Sequence, residues 1–312
     1  MKEPEVSYQI PKISLPIQFV GISKIEIPLL YIFKKKKFLI YPLFELFVNL
    51  PPNMRGINAS RSYQVIDDMI KKYQGKEILV EDLCSYIATE LLKRHEYSQH
   101  SLVKFKSSIT LPKITPVSSL TNLFTYNIEG YVYSEKWGKK IYTTQRSLKL
   151  TALGMNACPC AQETIRTIYS QKFLKNRDNE IVKFINTTHL QRIEASLELI
   201  LNSSKSFPNF YFFIDILESS FSSKIYHLLK RFDEAEIIIQ AVNNPKFTED
   251  VFRDIVFNFW QKIKNKKFND LDRINIKVVS FESIHPHNLI AEGSFTIGEL
   301  KKFLSYNSKR IK

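Results

Sequence analysis

Two cysteines separated by a single proline form the sharpest chemical signal in the chain. Cys158 and Cys160 stand in GMNACPCAQ, residues 154–162. This spacing is too tight for both sulfurs to join a normal zinc knuckle. Cys84 lies in the apolar stripe DLCSYIATELL and is expected to be a buried core thiol. One thiolate metal ligand with ligands of other kinds, or two ordinary thiols at a strand end, both stay open.

A second signal is a pair of histidines near a carboxylate, in ESIHPHN, residues 282–288. In an extended segment His285 and His287 point to one face, and a turn at Pro286 could bring Glu282 close to them. Two imidazoles and a carboxylate suit proton transfer near neutral pH. They suit a metal ion equally well, and solvated side chains at a strand end are the third possibility.

Three further segments carry polar residues that indicate a functional site only if other functional groups lie beside them. Alone, a single histidine is often solvated, cations suit the end of a helix and an acid suits its first turn. The segments are TTHLQR with His189, LLKRFDE with Lys230, Arg231 and Glu234, and NPKFTED with Glu249.

A basic loop precedes a predicted helix in PPNMRGINASR, residues 51–61, where Arg55 and Arg61 flank Gly56. A basic loop ahead of a helix N-terminus is a candidate phosphate cradle. The chain contains neither GxxxxGK[ST] nor GxGxxG, so neither a P-loop nor a Rossmann nucleotide site is indicated.

The chain as a whole is strongly basic. Its 45 Lys and Arg residues outnumber 31 Asp and Glu, giving a net charge of +14 over 312 residues. That charge fits an anionic partner, either nucleic acid or a phosphorylated small molecule, and equally a solubilising surface. With 44% apolar and 24% charged residues the composition excludes a disordered chain, and 3 cysteines exclude a disulfide framework.

The sequence also indicates a compartment. No apolar run reaches the roughly 18 residues that a membrane-spanning helix needs. The N-terminal segment MKEPEVSYQIPK has no apolar signal region. A cytoplasmic protein with reduced cysteines and no membrane partner is therefore expected.

The order of predicted elements repeats once along the chain. Strand patterns, then two helical stripes, then strand patterns give ββααββ in the first half, and the second half repeats this order. The chain is therefore expected to be an α+β protein whose halves share one extended sheet. The first half has a hairpin at 15–50 with a charged tip at 34–37 and helices at 62–74 and 79–95; the second half has helices at 209–232 and 245–265.

This pattern also suggests a division of the chain. The predicted parts are an N-terminal arm at 1–14, a first module at 15–136, a second module at 137–304 with an insertion at 161–188, and a tail at 305–312. A long connection inside a compact domain is more often functional than idle.

Taken together, the chemical segments resemble the type IB GTP cyclohydrolases and, among these, the archaeal methanopterin-type branch. The likeness extends from about residue 47 to 290, and residues 1–14 and 300–312 carry no part of it. The matching pieces, in order, are LPPNMRGINASR, LTALGMNACPCAQ, THLQR, LLKRFDE, NPKFTED and ESIHPHN.

The resemblance implies a tunnelling fold (T-fold), with two ββααββ modules in tandem forming an extended antiparallel sheet with helices on one face. It also implies a homo-oligomer, a dimer or tetramer, with active sites near the subunit interfaces. GTP would be the substrate, and the positive charge would then need no nucleic acid.

The same resemblance implies a metal site. Cys158 would be the thiolate ligand, His189 the imidazole ligand and Glu234 the carboxylate ligand, which leaves a position open as in catalytic sites. This mixed ligand set suits Fe(II) first, one per subunit, with Zn(II) or Mn(II) as alternatives.

The other site residues have implied roles in substrate binding and proton transfer. A carboxylate can accept hydrogen bonds from N1–H and the 2-amino group of guanine together. Glu249 would hold the purine edge, Glu282, His285 and His287 would handle protons, Cys160 would lie near the metal, and Arg55, Arg61, Lys230 and Arg231 would bind the triphosphate.

The implied reaction is a hydrolysis in which a metal-activated hydroxide attacks C8 of the purine. The imidazole ring opens, C8 leaves as formate, and the remainder closes to a dihydropterin. The archaeal branch would release 7,8-dihydroneopterin 2′,3′-cyclic phosphate, the bacterial branch the triphosphate. The chain departs from many relatives at Asn58, where they have a histidine, and in the longer stretch between Cys160 and His189.

Two other functions stay open. Another tunnelling-fold pterin or deazapurine enzyme, such as a nitrile reductase acting on a queuosine precursor, would need a cysteine nucleophile and NADPH, and would act without metal. A basic nucleic-acid-binding protein with a structural metal would need aromatic residues interleaved with Lys and Arg on one face. The aromatic residues stand mostly in apolar runs such as NFYFFIDIL, which indicates core.

Overall fold

The computed structural model describes residues 6–33, 36–73, 76, 79–173, 186–202 and 207–307. The strands are β1 (Ile17–Glu26), β2 (Leu29–Phe33), β3 (Lys36–Ile40), β4 (Leu43–Leu50), β5 (His100–Ile114), β6 (Thr121–Trp137), β7 (Lys140–Ala157), β8 (Leu190–Leu201), β9 (Ser223–Lys224), β10 (Arg273–Phe281) and β11 (Leu289–Thr296). The helices are a 3₁₀ turn (Val6–Tyr8), α1 (Ala59–Tyr73), α2 (Val80–Arg94), α3 (Pro159–Phe173), α4 (Phe210–Ser220), α5 (Arg231–Asn243), α6 (Thr248–Ile263) and α7 (Ile297–Asn307).

A large antiparallel sheet organises these elements. Its strands follow the order β1-β4-β5-β6-β7-β8-β10-β11, and β9 pairs with β7 off this path. The separate ribbon β2–β3 pairs Leu29 with Ile40, while β1 and β4 pair from Glu26 with Leu43 to Ile17 with Leu50. The structure thus confirms the α+β class with an extended antiparallel sheet and helices on one face.

The predicted hairpin at 15–50 is confirmed, with the ribbon β2–β3 as its outer part. Residues 34 and 35 of its charged tip lie outside the described residues. The predicted insertion begins as helix α3, and residues 174–185 likewise lie outside the described part.

The helix predicted for 209–232 is wrong. α4 ends at Ser220, Ser223–Lys224 forms strand β9, and α5 begins at Arg231. The chain leaves the helix there because Ser223 and Lys224 pair with Met155 and Gly154 of β7. Lys230 and Arg231 therefore stand at the start of a helix rather than at its end.

The chain divides into two compact units. The first comprises the chain up to Ile109, Asn127–Lys149 and Leu199–Phe207; the second comprises Thr110–Tyr126, Leu150–Glu198 and the chain from Pro208. The module boundaries predicted from element order stay a prediction.

In the first unit the core lies between α1, α2 and the buried side of β4. Strand β4 alternates buried with less buried residues, as expected for a strand covered on one face. Gly21 of β1 lies so close to β4 that an added Cβ would stand 1.7 Å from the carbonyl oxygen of Leu46. A side chain at this position would therefore force the two strands apart.

In the second unit α4 and α6 pack together and α6 packs against β10 and β11. Phe213 of α4 and Phe259 of α6 are fully buried there. Gly154 of β7 faces the ring of Phe221, which an added Cβ would approach to 2.2 Å. This close packing fixes the strand that leads to Cys158. No helix among the described residues is long and apolar enough to cross a membrane.

Candidate functional site

Cys158 and His189 meet at the end of β7 in the second unit. The backbone N–H of Cys158 donates to the carbonyl of His189 at 3.3 Å, and the Thr188 hydroxyl donates to the carbonyl of Cys158 at 2.6 Å. Cys158 is half-buried and immediately precedes α3, whose Ala161 N–H points at its Sγ at 3.5 Å. The sulfur and the imidazole, predicted as two ligands of one metal, thus belong to neighbouring backbone segments.

The segment that follows β10 reaches the same place. Ser283 Oγ lies 3.2 Å from Nδ1 of His189, which leaves Nε2 of that ring for another partner. Glu282 accepts from the Ser280 hydroxyl at 2.7 Å and from the Gln191 amide at 3.4 Å. Orientation of an imidazole through its second nitrogen is the usual arrangement around a ligating histidine.

His285 and His287 lie on the exposed loop between β10 and β11, with their rings stacked at 5.2 Å between centroids and 13° between planes. The predicted pairing of the two imidazoles is therefore present on a loop rather than in a strand. Exposure leaves both rings accessible for proton exchange.

The NPKFTED segment is tied to the residues just before Cys158. Lys246 N–H donates to the carbonyl of Ala157 at 3.0 Å, and the Asn156 amide donates to the carbonyl of Lys246 at 2.7 Å. Glu249 is exposed in the first turn of α6, as predicted. In the part of the chain that the structure describes, its carboxylate has no hydrogen-bond or ion-pair partner, so it is available to a ligand.

The two acids of KRFDE have different surroundings. Asp233 is buried and accepts from the backbone N–H groups of Val117 and Ser118, both at 2.9 Å, and from the Ser118 hydroxyl at 2.5 Å. Burial alone would raise the pKa of Asp233, but these hydrogen bonds and one from Lys230 hold it well below its usual range. Glu234, the predicted ligand, is exposed.

Asp233 is a structural residue that the sequence did not single out. It also accepts from the backbone N–H of Lys230 at 3.1 Å, which is one half of a capping box, but Lys230 lacks the Ser or Thr side chain by which such a box is recognised in a sequence. Lys230 and Arg231 are exposed at the N-terminus of α5, where the positive end of the helix adds to their charge.

The predicted metal ligands are brought together only in part. Cys158 and His189 are adjacent, and their sulfur and nitrogen suit a transition metal. Across the described ranges, however, no three His, Cys, Asp or Glu side chains converge closely enough to hold a metal ion. Glu234 therefore does not join Cys158 and His189 as a third ligand in the described part of the chain. Cys160 is exposed on the first turn of α3.

Arg55 and Arg61 lie in the first unit with the rest of the basic loop. Arg55 donates to Gln9 Oε1 at 2.9 Å, and Arg61 donates to the Tyr8 hydroxyl and the Arg94 carbonyl, both at 3.2 Å. Gln9 and Tyr8 belong to residues 1–14, which carry none of the motifs on which the family resemblance was based.

A buried histidine forms hydrogen bonds next to this loop. His95 is 0% exposed, with Nε2 3.0 Å from the Ser62 hydroxyl and Nδ1 2.8 Å from the Tyr97 hydroxyl. Burial, aided by the nearby charge of Arg61, lowers the pKa of His95 to about 4. The ring is therefore neutral at neutral pH and serves as a hydrogen-bond link between two hydroxyls.

This burial predicts an acid-dependent loss of stability. As the pH falls from about 6.5 towards 4, the unfolded chain binds a proton at His95 before the folded chain does, so folding is progressively weakened. We expect the free energy of unfolding of the wild type to fall by up to about 3 kcal/mol more than that of His95→Gln between pH 7.5 and 4. Urea unfolding at both pH values measures the difference, and equal losses in the two proteins would contradict it.

Comparison with known proteins gives the family. The model of the type I GTP cyclohydrolase folE2 family matches residues 4–291, so the match includes the N-terminal segment that the motifs had excluded. GTP cyclohydrolase MptA of Methanoculleus marisnigri is 31% identical, over 96% of this chain and 97% of the relative. GTP cyclohydrolase MptA of Methanosarcina mazei is 31% identical, over 97% of each chain.

Among solved structures, a uricase from Bacillus fastidious aligns with 91% of this chain and 95% of its own, with a TM-score of 0.48 and 8% sequence identity. The uricase from Arthrobacter globiformis aligns with a TM-score of 0.45 and 8% identity, over 91% and 95% of the two chains. The sequence matches, which extend over nearly the whole chain, decide the family. The chain belongs to the type I GTP cyclohydrolase folE2 family.

Proposed function

We propose that this chain is a metal-dependent GTP cyclohydrolase that converts GTP into formate and 7,8-dihydroneopterin 2′,3′-cyclic phosphate, the first step of a methanopterin-type pterin pathway. The observation that carries the proposal is the meeting of Cys158, His189 and the Glu282–Ser283 segment at the end of β7, in a chain of the GTP cyclohydrolase family. The MptA relatives support the methanopterin-type branch, whose implied product is the cyclic phosphate.

Cys158 and His189, with Glu234, would hold an Fe(II), Zn(II) or Mn(II) ion. When bound, such an ion would supply Lewis acidity and make an attacking water more acidic. Ser283 would keep the His189 ring oriented through Nδ1. Because Glu234 is not assembled with the other two in the described chain, we expect metal binding or a neighbouring subunit to bring the third ligand into place.

The substrate would be recognised at both of its ends. Glu249 has an accessible carboxylate without a partner among the described residues, which suits the adjacent N1–H and 2-amino donors of guanine. Arg55, Arg61, Lys230 and Arg231 would bind the phosphates, and the net charge of +14 would attract the polyanion over a distance.

Proton transfers would fall to the loop after β10. His285 and His287 are exposed and stacked, so either can give or take a proton at the opening ring. Glu282 is fixed by Ser280 and Gln191, which suits a carboxylate that orients its neighbours or accepts a proton at one position. Asn58 cannot transfer protons at this pH and would act only through hydrogen bonds.

The last step of the proposed reaction is an intramolecular displacement at the α-phosphorus. A hydroxyl of the opened sugar would attack the α-phosphorus, forming one P–O bond while the bond to diphosphate breaks. Cyclic phosphate, formate and diphosphate are then the products. Without this step the chain would release 7,8-dihydroneopterin triphosphate.

We further propose that the active form is a homo-oligomer, a dimer or tetramer, with sites near the subunit interfaces. The strand order ends at β1 on one side and β11 on the other, and within the described sheet neither outer edge is paired. Leu289 and Ile290 of β11 are exposed apolar residues on such an edge. An unpaired strand edge is a template on which a strand of another chain can pair.

The decisive experiment incubates metal-stripped protein with GTP without oxygen, adding back Fe(II), Zn(II) or Mn(II), and identifies the products by mass. We expect metal-dependent formation of formate, diphosphate and the cyclic phosphate. The triphosphate product would keep the activity and contradict the branch. Absence of turnover with every metal, in a protein shown to be folded, would contradict the cyclohydrolase itself.

A further inference from the structure

We propose that the N-terminal turn, residues 6–9, is part of the GTP site and positions Arg55 and Arg61 to bind the triphosphate. This inference rests on the proposed function, because it assigns these two arginines to the phosphates of GTP. It adds Tyr8 and Gln9 as positioning residues, in a segment to which no chemical motif pointed.

The backbone of the N-terminal turn is built onto the basic loop. The carbonyl of Ser7 accepts from two successive N–H groups of that loop, Arg55 at 3.0 Å and Gly56 at 3.3 Å. The turn itself closes through a bond from the Gln9 N–H to the Val6 carbonyl at 3.1 Å. The turn and the loop are thus held as one piece of structure by main-chain bonds, which side-chain substitutions leave in place.

The side chains of the turn then hold the two guanidinium groups. Gln9 Oε1 accepts from Arg55 Nη1 at 2.9 Å, and the Tyr8 hydroxyl accepts from Arg61 Nη1 at 3.2 Å. A free arginine side chain has many rotamers, and ordering it at the moment of binding weakens the binding. Contacts already present in the free protein remove part of that cost.

These partners fix the arginines without neutralising them. Both are uncharged oxygen acceptors, and neither guanidinium forms an ion pair with a carboxylate of the described residues. By contrast, four other arginines do pair with acids: Arg94, Arg146, Arg166 and Arg253.

The two charges are therefore left for a ligand. A guanidinium has five N–H donors, so the one bond of Arg55, to Gln9, and the two bonds of Arg61, to Tyr8 and the Arg94 carbonyl, still leave donors on each group for phosphate oxygens. Positioned but uncompensated arginines are what recognition of a polyphosphate requires.

The test uses the full chain with Gln9→Ala, Gln9→Glu and Tyr8→Phe. Steady-state kinetics give kcat and KM for GTP, and calorimetry on the metal-stripped protein gives the Kd for inorganic tripolyphosphate. We expect Gln9→Ala to raise both KM and Kd about fivefold with kcat within about twofold. Gln9→Glu is expected to raise them more than tenfold, since its carboxylate would pair with Arg55 and repel phosphate.

Gln261→Glu is the matched control, because Gln261 is exposed on α6, accepts from a cation (Lys264) as Gln9 does from Arg55, and receives the same charge. It should leave KM and Kd unchanged. Tyr8→Phe removes one oxygen only, which keeps the test valid if a Gln9 variant fails to fold. Unchanged or tighter tripolyphosphate binding in both the Gln9 and the Tyr8 variants would overturn the inference. Failure of the wild type to turn over GTP would contradict the proposed function, while the tripolyphosphate data would still decide the role of the turn.

Discussion

Replacing Cys158 by serine is expected to lower kcat/KM for GTP about 10³-fold while leaving the fold intact. Cys158 is half-buried at the end of β7, and its backbone bonds to His189 and Thr188 do not involve the sulfur. Serine would keep those bonds but would lose the proposed thiolate ligand. Loss of a metal that contributes several kcal/mol to transition-state stabilisation corresponds to a factor of this size.

Metal content by plasma mass spectrometry and GTP turnover should fall together in Cys158→Ser, and His189→Ala should behave alike. Cys84→Ala is the matched control, since that thiol is fully buried in the first unit, where burial raises the pKa of Cys84 well above its ordinary value. A Cys158→Ser protein with full metal content and near wild-type turnover would show that the sulfur is not a ligand.

Local patterns were enough to predict most elements. The alternating burial of β4 and the apolar stripes of α1 and α2 follow directly from residue spacing. The helix boundary at Ser220 could not be found in this way, because Ile225 and Leu228 continue an apolar pattern after it. What ends the helix is distant in sequence: Ser223 and Lys224 pair with Met155 and Gly154.

The candidate site shows the same limit. Motifs were enough to single out Cys158, His189 and the histidine loop, and the backbone hydrogen bond between Cys158 and His189 agrees with that grouping. Two adjacent acids in KRFDE look alike in sequence, yet only Asp233 is bound to the turn between β5 and β6. The partnership of Arg55 with Gln9, 46 residues apart, leaves no periodic pattern and needed coordinates.

The buried pair Lys113–Glu218 is the other large structural determinant that sequence patterns missed. The lysine nitrogen and the carboxylate are 2.7 Å apart, with side chains only 9% and 7% exposed, and the Tyr126 hydroxyl donates to the same carboxylate oxygen at 2.6 Å. Burial lowers the pKa of Lys113 despite its partner. For Glu218, burial opposes ionisation, but Lys113, Tyr126 and Lys224 together lower its pKa.

Removing one partner should therefore be costly. We expect Glu218→Gln to reduce the free energy of unfolding by about 3–5 kcal/mol at pH 6, since it leaves a buried ammonium without a counter-charge. The loss should be smaller at pH 9. Without the carboxylate the folded pKa of Lys113 is lowered further, so the destabilisation grows as the pH falls from the ordinary pKa of lysine and is complete below that folded pKa.

The double variant Lys113→Met/Glu218→Gln distinguishes the loss of the whole ion pair from the cost of leaving one charge buried alone. It should be more stable at pH 6 than Glu218→Gln alone, because no charge is then left buried. Lys149→Met is the matched control: Lys149 and Glu129 are 3.9 Å apart and 34% and 40% exposed, and such a pair contributes at most about 1 kcal/mol. Equal unfolding curves for Glu218→Gln and the wild type at pH 6 would contradict the prediction.

GTP turnover should depend on the stability of this ion pair, because Glu218 is linked to the strand that leads to Cys158. The second oxygen of Glu218 lies 3.1 Å from Lys224, and Lys224 pairs with Gly154 on the strand that ends beside Cys158. A loosened Glu218 would therefore release β9 and, through it, the segment that presents the thiol. We expect the temperature of half-inactivation of GTP turnover to fall with the unfolding temperature in Glu218→Gln, and to recover in part in the double variant.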